Sequence, residues 1–303
     1  MVADIPFVDA HIHLWDHARI RYPWLTPPFD DGGPNGSVES IASDYTLADY
    51  RADLAAWNVV GAVHVDAGAD AAQALDETVW LEETAKEAGL PTGIVAFAAL
   101  DHPAVGDLLA KQATHPHVRG IRHIVNWHPD SRRSYTTRDL TQDAKWCAGY
   151  ALLGRHDLSF DLQCYPGQMP GLVPLIERHP EVPVVINHLG MPIVPDDEGL
   201  AEWRRGLTAL AKLPHVSIKI SGLGFIGRDW TTPIVAPMIH EAIELFGTDR
   251  CLVASDMPTD KLFAPTHRYW ATYRETLDQY SEDERRDLFG RNANRVYRLG
   301  LDI

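Results

Sequence analysis

Val8-Asp9-Ala10-His11-Ile12-His13-Leu14, near the start of the chain, is a short apolar segment that carries two histidines one residue apart. Its apolar residues predict a buried strand. Side chains alternate between the two faces of a strand, so His11 and His13 are expected on the same side. Two imidazoles on one face could bind a metal ion or polarise a substrate carbonyl, or they could be hydrogen-bonded core histidines. The rest of the chain decides between these interpretations.

Seven further segments of this kind follow, rich in Val, Ile or Phe and mostly flanked by turn residues. With the first, they cover residues 5–11, 59–66, 92–99, 118–125, 157–163, 182–188, 215–221 and 250–255. Between them, apolar residues recur at helical spacing, as at Leu200, Trp203 and Leu207. Eight alternating β/α units predict an α/β protein, a (β/α)8 TIM barrel, as one domain over residues 1–303. An open doubly wound sheet is the alternative, but no glycine-rich phosphate loop follows a predicted strand.

Two segments fall outside the repeat. Residues 17–45 form a long connection rich in proline, glycine and aromatic residues, which includes Tyr22-Pro23-Trp24-Leu25. Such long connections are usually functional or disordered, and one that follows the first strand would lie over the barrel mouth. The alternative is a solvated surface loop. After the last strand, residues 265–280, 281–290 and 292–299 are predicted to form extra C-terminal helices.

Composition narrows the class of partner. The net charge of −15 argues against binding to nucleic acid or to an anionic membrane surface. No apolar stretch approaches membrane-spanning length, and the first residues lack the features of a signal peptide. The three cysteines are far apart and form no CxxC pair, which is typical of reduced thiols in a cytoplasmic protein. We therefore expect a cytoplasmic protein with a small-molecule substrate, and the sequence leaves open whether it forms a homo-oligomer.

Polar residues gather where the predicted strands end, which is where catalytic groups stand in barrels of this type. Seven strands end in this way, with His11 and His13, His64 and Asp66, Arg122 and His123, Asp161 and Gln163, Asn187 and His188, Lys219 and Ser221, and Ser255 and Asp256. Buried polar groups need partners, so an apolar rim would make a more stable barrel. The excess of His and Asp at one rim therefore indicates a site rather than a folding requirement alone.

This pattern resembles the amidohydrolase superfamily, specifically its amidohydrolase-2 branch of TIM-barrel hydrolases, over nearly the whole chain. The resemblance rests on Asp9-Ala10-His11-Ile12-His13, Tyr22-Pro23-Trp24-Leu25, Gly120-Ile121-Arg122-His123, Asn187-His188-Leu189-Gly190-Met191-Pro192, Lys219-Ile220-Ser221-Gly222, Ser255-Asp256-Met257-Pro258 and Phe289-Gly290-Arg291-Asn292-Ala293-Asn294-Arg295-Val296-Tyr297. Within the branch, the chain is most similar to the lactonase group, which hydrolyses sugar lactones and pyrone or muconolactone rings. Decarboxylases of aromatic acids are more distant relatives.

The resemblance implies roles for individual residues. Asp256 would be the general base that takes a proton from the attacking water, and His188 would polarise the scissile carbonyl. Substrate binding would fall to a further set at the same rim, namely Arg122, His123, Trp24, Gln163 and Lys219. Structural roles are the alternatives: Asp256 could cap the turn after the last strand, and Arg122 and Lys219 could form internal ion pairs.

The resemblance leaves the metal content open. If a divalent, zinc-type ion is bound, its ligands would be His11, His13, His188 and Asp256. Gln163 stands where metal-dependent members carry a histidine, and an amide is a poor ligand for zinc. In the metal-free case, His and Arg donors would stabilise the oxyanion.

The resemblance thus implies a hydrolase that opens a sugar lactone or a carboxylated ring lactone by attack of water activated by Asp256. Met257 and Met191 stand where the lactonases commonly carry Trp and Lys, so the substrate could differ from the known ones. A metal-dependent amidohydrolase, deaminase or decarboxylase on the same barrel is an alternative. A non-catalytic ligand-binding barrel is another.

Overall fold

The computed structural model describes residues 5–29, 32–192 and 196–303. Eight parallel strands lie side by side in the order of the sequence, with helices between them. The strands are β1 (Phe7–Ile12), β2 (Val59–Val65), β3 (Gly93–Phe97), β4 (Val118–Arg122), β5 (Ser159–Leu162), β6 (Val184–Ile186), β7 (Val216–Ile220) and β8 (Cys251–Val253). Each predicted segment overlaps one observed strand, and the predicted (β/α)8 barrel is confirmed.

The α-helices form the outer layer of the barrel and continue after its last strand. They are α1 (Leu47–Asp53), α2 (Ala74–Ala88), α3 (Val105–Gln112), α4 (Ala144–Tyr150), α5 (Met169–Glu177), α6 (Asp197–Ala211), α7 (Thr232–Phe246), α8 (Thr266–Leu277), α9 (Glu282–Arg286) and α10 (Asn292–Val296). The last three confirm the predicted C-terminal helices. Among the described residues, no helix has both the length and the apolarity needed to cross a membrane.

The barrel closes at a seam between β1 and β8. A single parallel bridge joins Ile12 to Met257. The amide of His13 donates to the carbonyl of Met257 at 2.8 Å, and the amide of Asp256 donates to the carbonyl of His11 at 2.9 Å. This seam brings the histidine pair of β1 next to Asp256, although 243 or more residues separate them in sequence.

A bulge in β1 explains which of its side chains face the barrel interior. Asp9 pairs with Ala62 of β2, but Ile12 pairs with His64, so one strand advances three residues while the other advances two. Ala10 belongs to the apolar cluster inside the barrel. In a regular strand the next residue, His11, would face outward. The extra residue that the bulge adds to β1 turns His11 inward, to the same side as Ala10. His11 and His13 therefore share a face, as predicted, with 3.2 Å between their Nε2 atoms.

The barrel interior is layered. Its lower part is apolar, and it is covered by Ala293 of α10 and by Tyr297, which directly follows that helix. Above this layer lies a buried ion pair in which Lys219 Nζ is 2.5 Å from Asp161 Oδ2. The hydroxyl of Tyr297 donates to the other carboxylate oxygen at 2.9 Å. The histidines lie above this pair, so charged groups lie directly beneath the polar floor of the mouth.

Candidate active site

A cavity of about 510 Å³ opens at the carboxyl ends of the strands. This volume lies within the usual range for small-molecule sites. Its floor is formed by strand-end residues, namely His13, Arg122, Gln163, His188 and Asp256. Much of its wall comes from residues 23–29 and 33–38, including Trp24. The prediction that the long connection after β1 lies over the mouth is therefore confirmed.

Asp256 stands at the centre of the floor, among three histidines. Its Oδ1 lies 3.5 Å from His11 Nε2 and 3.4 Å from His13 Nε2, and its Oδ2 lies 3.8 Å from His188 Nδ1. The carboxylate is 1% exposed, and within the described structure neither oxygen has a hydrogen-bond partner. An unpartnered buried carboxylate is costly to keep in a folded protein. Its two oxygens are therefore available to a water, a substrate or a metal ion.

The backbone is strained at two of these residues. His188 and Asp256 have φ angles of 53° and 54°, in the left-handed region that residues other than glycine rarely adopt. Gly222, whose φ is 62°, makes room for His188, since a Cβ there would lie 2.7 Å from the histidine Cβ. Such strain persists only where surrounding contacts hold it, and it clusters at functional sites.

Hydrogen bonds orient the imidazoles, and burial keeps them neutral. His13 Nδ1 lies 2.8 Å from the carbonyl oxygen of Val65, to which it donates, so its Nε2 is left to face Asp256. His188 Nδ1 lies 3.0 Å from the hydroxyl of Ser221. Burial lowers the pKa of His13 to about 3 and that of His188 to about 4. Both rings are therefore uncharged at neutral pH.

Two opposing effects act on the acidity of Asp256. Burial raises the pKa of its carboxyl group, because the charged form loses its hydration. His188, Arg122 and Lys219 oppose this effect, and the pKa stays above the ordinary value. A carboxylate with a raised pKa holds a proton more readily, which favours its action as a general base.

Arg122 lies in the floor with its guanidinium held on two sides. Its Nε donates to Asp66 Oδ2 at 2.6 Å, and its Nη1 donates to Gln163 Oε1 at 3.0 Å. The internal ion pair that sequence left as an alternative is thus present, and Arg122 also lines the cavity. The pairing fixes the direction in which the guanidinium can meet a substrate.

Two residues predicted to bind substrate do not reach the cavity. His123 comes directly after Arg122, so the two side chains lie on opposite faces of the strand end. The Nδ1 atom of His123 accepts a hydrogen bond from the amide of Leu100 at 3.1 Å. Lys219 is 0% exposed, pairs with Asp161, and has its Nζ 3.2 Å from His11 Nδ1. For Lys219, the ion pair that was the structural alternative is the observed arrangement. It supports His11 from below.

The donor set at the seam fits a divalent ion in part. His11, His13 and Asp256 offer ligand atoms that all lie within 4.8 Å of one another. Asp256 and the Nε2 atom of His13 are available as ligands. Lys219, however, donates to Nδ1 of His11, which leaves the ring proton of neutral His11 on Nε2, the atom a metal would need. His13 and Asp256 can thus accommodate a metal ion, but His11 can become a third ligand only if its hydrogen bond with Lys219 is broken.

Sequence patterns missed part of the site. Tyr135 and Phe225 form cavity wall, but Tyr135 lies in a loop and Phe225 ends a one-turn 3-10 helix, and neither is long enough for a periodic pattern to mark a side chain as inward. Asp260 is fully buried near Asp256, and burial together with Asp256 raises the pKa of its carboxyl group well above its usual range. In the sequence, the only hint that Asp260 belongs near the site is that it lies four residues after Asp256, in the segment that follows β8.

Comparison with known proteins places the chain among proteins with this barrel. The family model described as amidohydrolase matches residues 8–299. An uncharacterized protein of Sinorhizobium fredii is 37% identical, over 98% of this chain and 100% of that one. An L-fucono-1,5-lactonase of Burkholderia multivorans is 28% identical over 96% of each chain. A crystal structure of an amidohydrolase from Burkholderia multivorans with bound zinc has a TM-score of 0.80 at 26% identity, covering 96% of this chain and 99% of that one.

Proposed function

This chain belongs to the amidohydrolase family, and we propose that it opens a lactone by attack of a water molecule activated by Asp256. One observation carries the proposal. A buried carboxylate that has no hydrogen-bond partner among the described residues lies in the floor of a substrate-sized cavity, among neutral imidazoles and one guanidinium. The similarity to an L-fucono-1,5-lactonase supports lactone hydrolysis as the reaction.

The proposed reaction uses groups already described. The Asp256 carboxylate takes a proton from water as the water oxygen bonds to the lactone carbonyl carbon. Arg122 and His188 stabilise the negative charge that develops on the carbonyl oxygen. With the Ser221 hydroxyl donating to Nδ1, His188 keeps its proton on Nε2 and can donate a hydrogen bond to that oxygen. The bond to the ring oxygen then breaks, and the leaving oxygen takes the proton back from Asp256, which gives the hydroxy acid.

A metal ion is optional in this proposal. A divalent ion held by His13 and Asp256, with His11 as a third ligand, would supply Lewis-acid polarisation of water or carbonyl when bound. The zinc-bound structure similar to this chain and the clustered ligand atoms support such binding. The metal-free arrangement is supported by the hydrogen bond between Lys219 and His11.

The test is a proton-release screen of the purified protein over sugar, alkyl, aryl and carboxylated lactones, since each ring opening releases a proton. Metal content is measured on the same sample. Single-turnover hydrolysis in ¹⁸O-labelled water should place the label in the product carboxylate and none in Asp256. Label in Asp256 would indicate a covalent intermediate, and a screen without any turnover would overturn the proposal. Loss of turnover on removal of stoichiometric zinc would favour the metal-dependent alternative.

Activity should depend on pH through one ionisation. We expect kcat/KM to rise with pH through the raised pKa of Asp256, because the protonated carboxyl cannot accept a proton from water. His188 should add no limb near neutrality, since its pKa is about 4. Arg122→Gln removes a cation that favours ionised Asp256, so the midpoint should move to higher pH. Arg204→Gln, at an exposed ion pair with Glu241, is the matched control and should leave the midpoint unchanged. If the midpoint of the Arg122→Gln variant were unchanged, the ionisation seen in kcat/KM would belong to a group other than Asp256.

A further inference from the structure

The upper wall of the cavity differs from its floor. Large apolar side chains face the space above the floor: Trp24, Phe29, Val38, Ile124 and Phe225. They come from three separate segments of the chain, namely the connection after β1, the segment after β4 and the segment after β7, so the apolar character does not depend on one loop. Carboxylate, imidazole and guanidinium groups that line the cavity are confined to the strand ends below, and Asn35 contributes an amide side chain to the wall.

The polar side chains in the described part of this wall are largely paired within the protein. Trp24 Nε1 donates to the carbonyl of Ala67 at 2.7 Å, so the indole presents its ring to the cavity. Thr26 donates its hydroxyl to the carbonyl of Tyr22 at 2.8 Å. The hydroxyl of Tyr135 donates to Oδ1 of Asn35 at 2.5 Å. Few polar atoms are therefore left to meet hydroxyl groups of a ligand.

A polyhydroxylated ring would fit such a wall poorly. A sugar lactone carries a hydroxyl group on nearly every ring carbon, and the floor can satisfy only those close to the ester. Buried hydroxyls without partners disfavour binding, whereas alkyl or aryl groups gain from leaving water. The cavity also exceeds what a bare lactone ring would occupy, so a substituent is needed to fill it.

We infer that the preferred substrate is a lactone whose ring carries an alkyl or aryl substituent, seated against Trp24, Phe29 and Phe225, rather than a sugar lactone. The ester lies on the polar floor and the substituent points toward residues 23–29 and 33–38. This inference rests on the proposed lactone hydrolysis and adds the class of substrate to it.

The test compares three lactones with the same six-membered ring: δ-valerolactone, δ-decanolactone and D-glucono-1,5-lactone. Each kcat/KM is divided by the rate constant for uncatalysed hydroxide hydrolysis, which removes differences in intrinsic reactivity. We expect δ-decanolactone to exceed D-glucono-1,5-lactone by about tenfold or more, since single methylene groups in apolar pockets are worth roughly that factor. Equal rates or a preference for the sugar lactone would overturn the inference and leave lactone hydrolysis standing. Absence of turnover with every lactone would overturn both.

A matched pair of variants tests whether the wall causes the preference. Val38→Thr replaces a methyl group by a hydroxyl at nearly constant volume on the cavity wall. Its ratio of alkyl to sugar lactone should fall about threefold or more. Val79→Thr makes the same change on α2, where Val79 is 41% exposed, and should leave the ratio unchanged. Equal thermal midpoints would show that both variants fold. An unchanged ratio in Val38→Thr, with Phe225→Tyr also unchanged, would overturn the assignment of the substituent to this wall.

Discussion

Asp256→Asn is expected to lower kcat on an accepted lactone by roughly 10²- to 10⁴-fold, the usual contribution of a positioned general base. Asparagine has the same shape, but its amide cannot take a proton from water at any pH in the stable range. The variant should bind substrate nearly as well as the parent, so most of the loss should appear in kcat rather than in KM.

The same variant should fold at least as well as the parent. Neither oxygen of Asp256 has a hydrogen bond to lose within the described structure, and burial already disfavours its charge. Removing a desolvated charge that serves catalysis often stabilises a protein. Thermal unfolding measured beside kcat tests this combination, with Asp76→Asn on the exposed face of α2 as control. Near-parental activity would contradict the proposed base, and inactivity with a collapsed melting temperature would point to a structural role.

The convergence of Asp256 with the histidines was predictable because it depends only on topology. Eight parallel strands in sequence order place all their carboxyl ends at one rim, wherever the residues lie in the chain. His13, His188 and Asp256 needed no further information to be brought to this rim, whereas the inward facing of His11 also depends on the bulge in β1. Their direct spacing, 3.4–3.8 Å to the carboxylate, is a finding of the structure.

Which of two neighbouring polar side chains points into the cavity was harder to predict from the sequence. Arg122 and His123 are adjacent, and only the position at which β4 ends decides that the arginine meets the cavity. How deep Lys219 lies in the barrel interior depends on the register of β7 against its neighbouring strands. A shift of that register by one residue would place the lysine elsewhere. The apolar wall was not predictable either, since Phe225 and Tyr135 lie in connections between strands and helices whose course depends on tertiary contacts.

Lys219→Met is expected to lower the free energy of unfolding by about 3–5 kcal/mol, the usual effect of removing one partner of a buried ion pair. Lys219 and Asp161 are both 0% exposed, with 2.5 Å between Nζ and Oδ2. Among the described residues, the substitution leaves the carboxylate with the Tyr297 hydroxyl as its remaining donor. Methionine keeps most of the length and volume of lysine, so the loss should come from the unpaired charge rather than from a void. Urea unfolding of the two proteins measures it.

A double variant separates charge pairing from packing. Lys219→Met combined with Asp161→Asn removes both charges, and most of the lost stability should return, since a buried pair gains little over neutral groups of similar volume. Arg204→Met at the exposed pair with Glu241 is the control and should cost about 1 kcal/mol or less. A single Lys219→Met variant as stable as the parent would contradict the buried pair. A double variant that is stable but slow would identify the contact of Lys219 with His11 as the functional part of the arrangement, because a purely structural pair would leave kcat unchanged once stability returned.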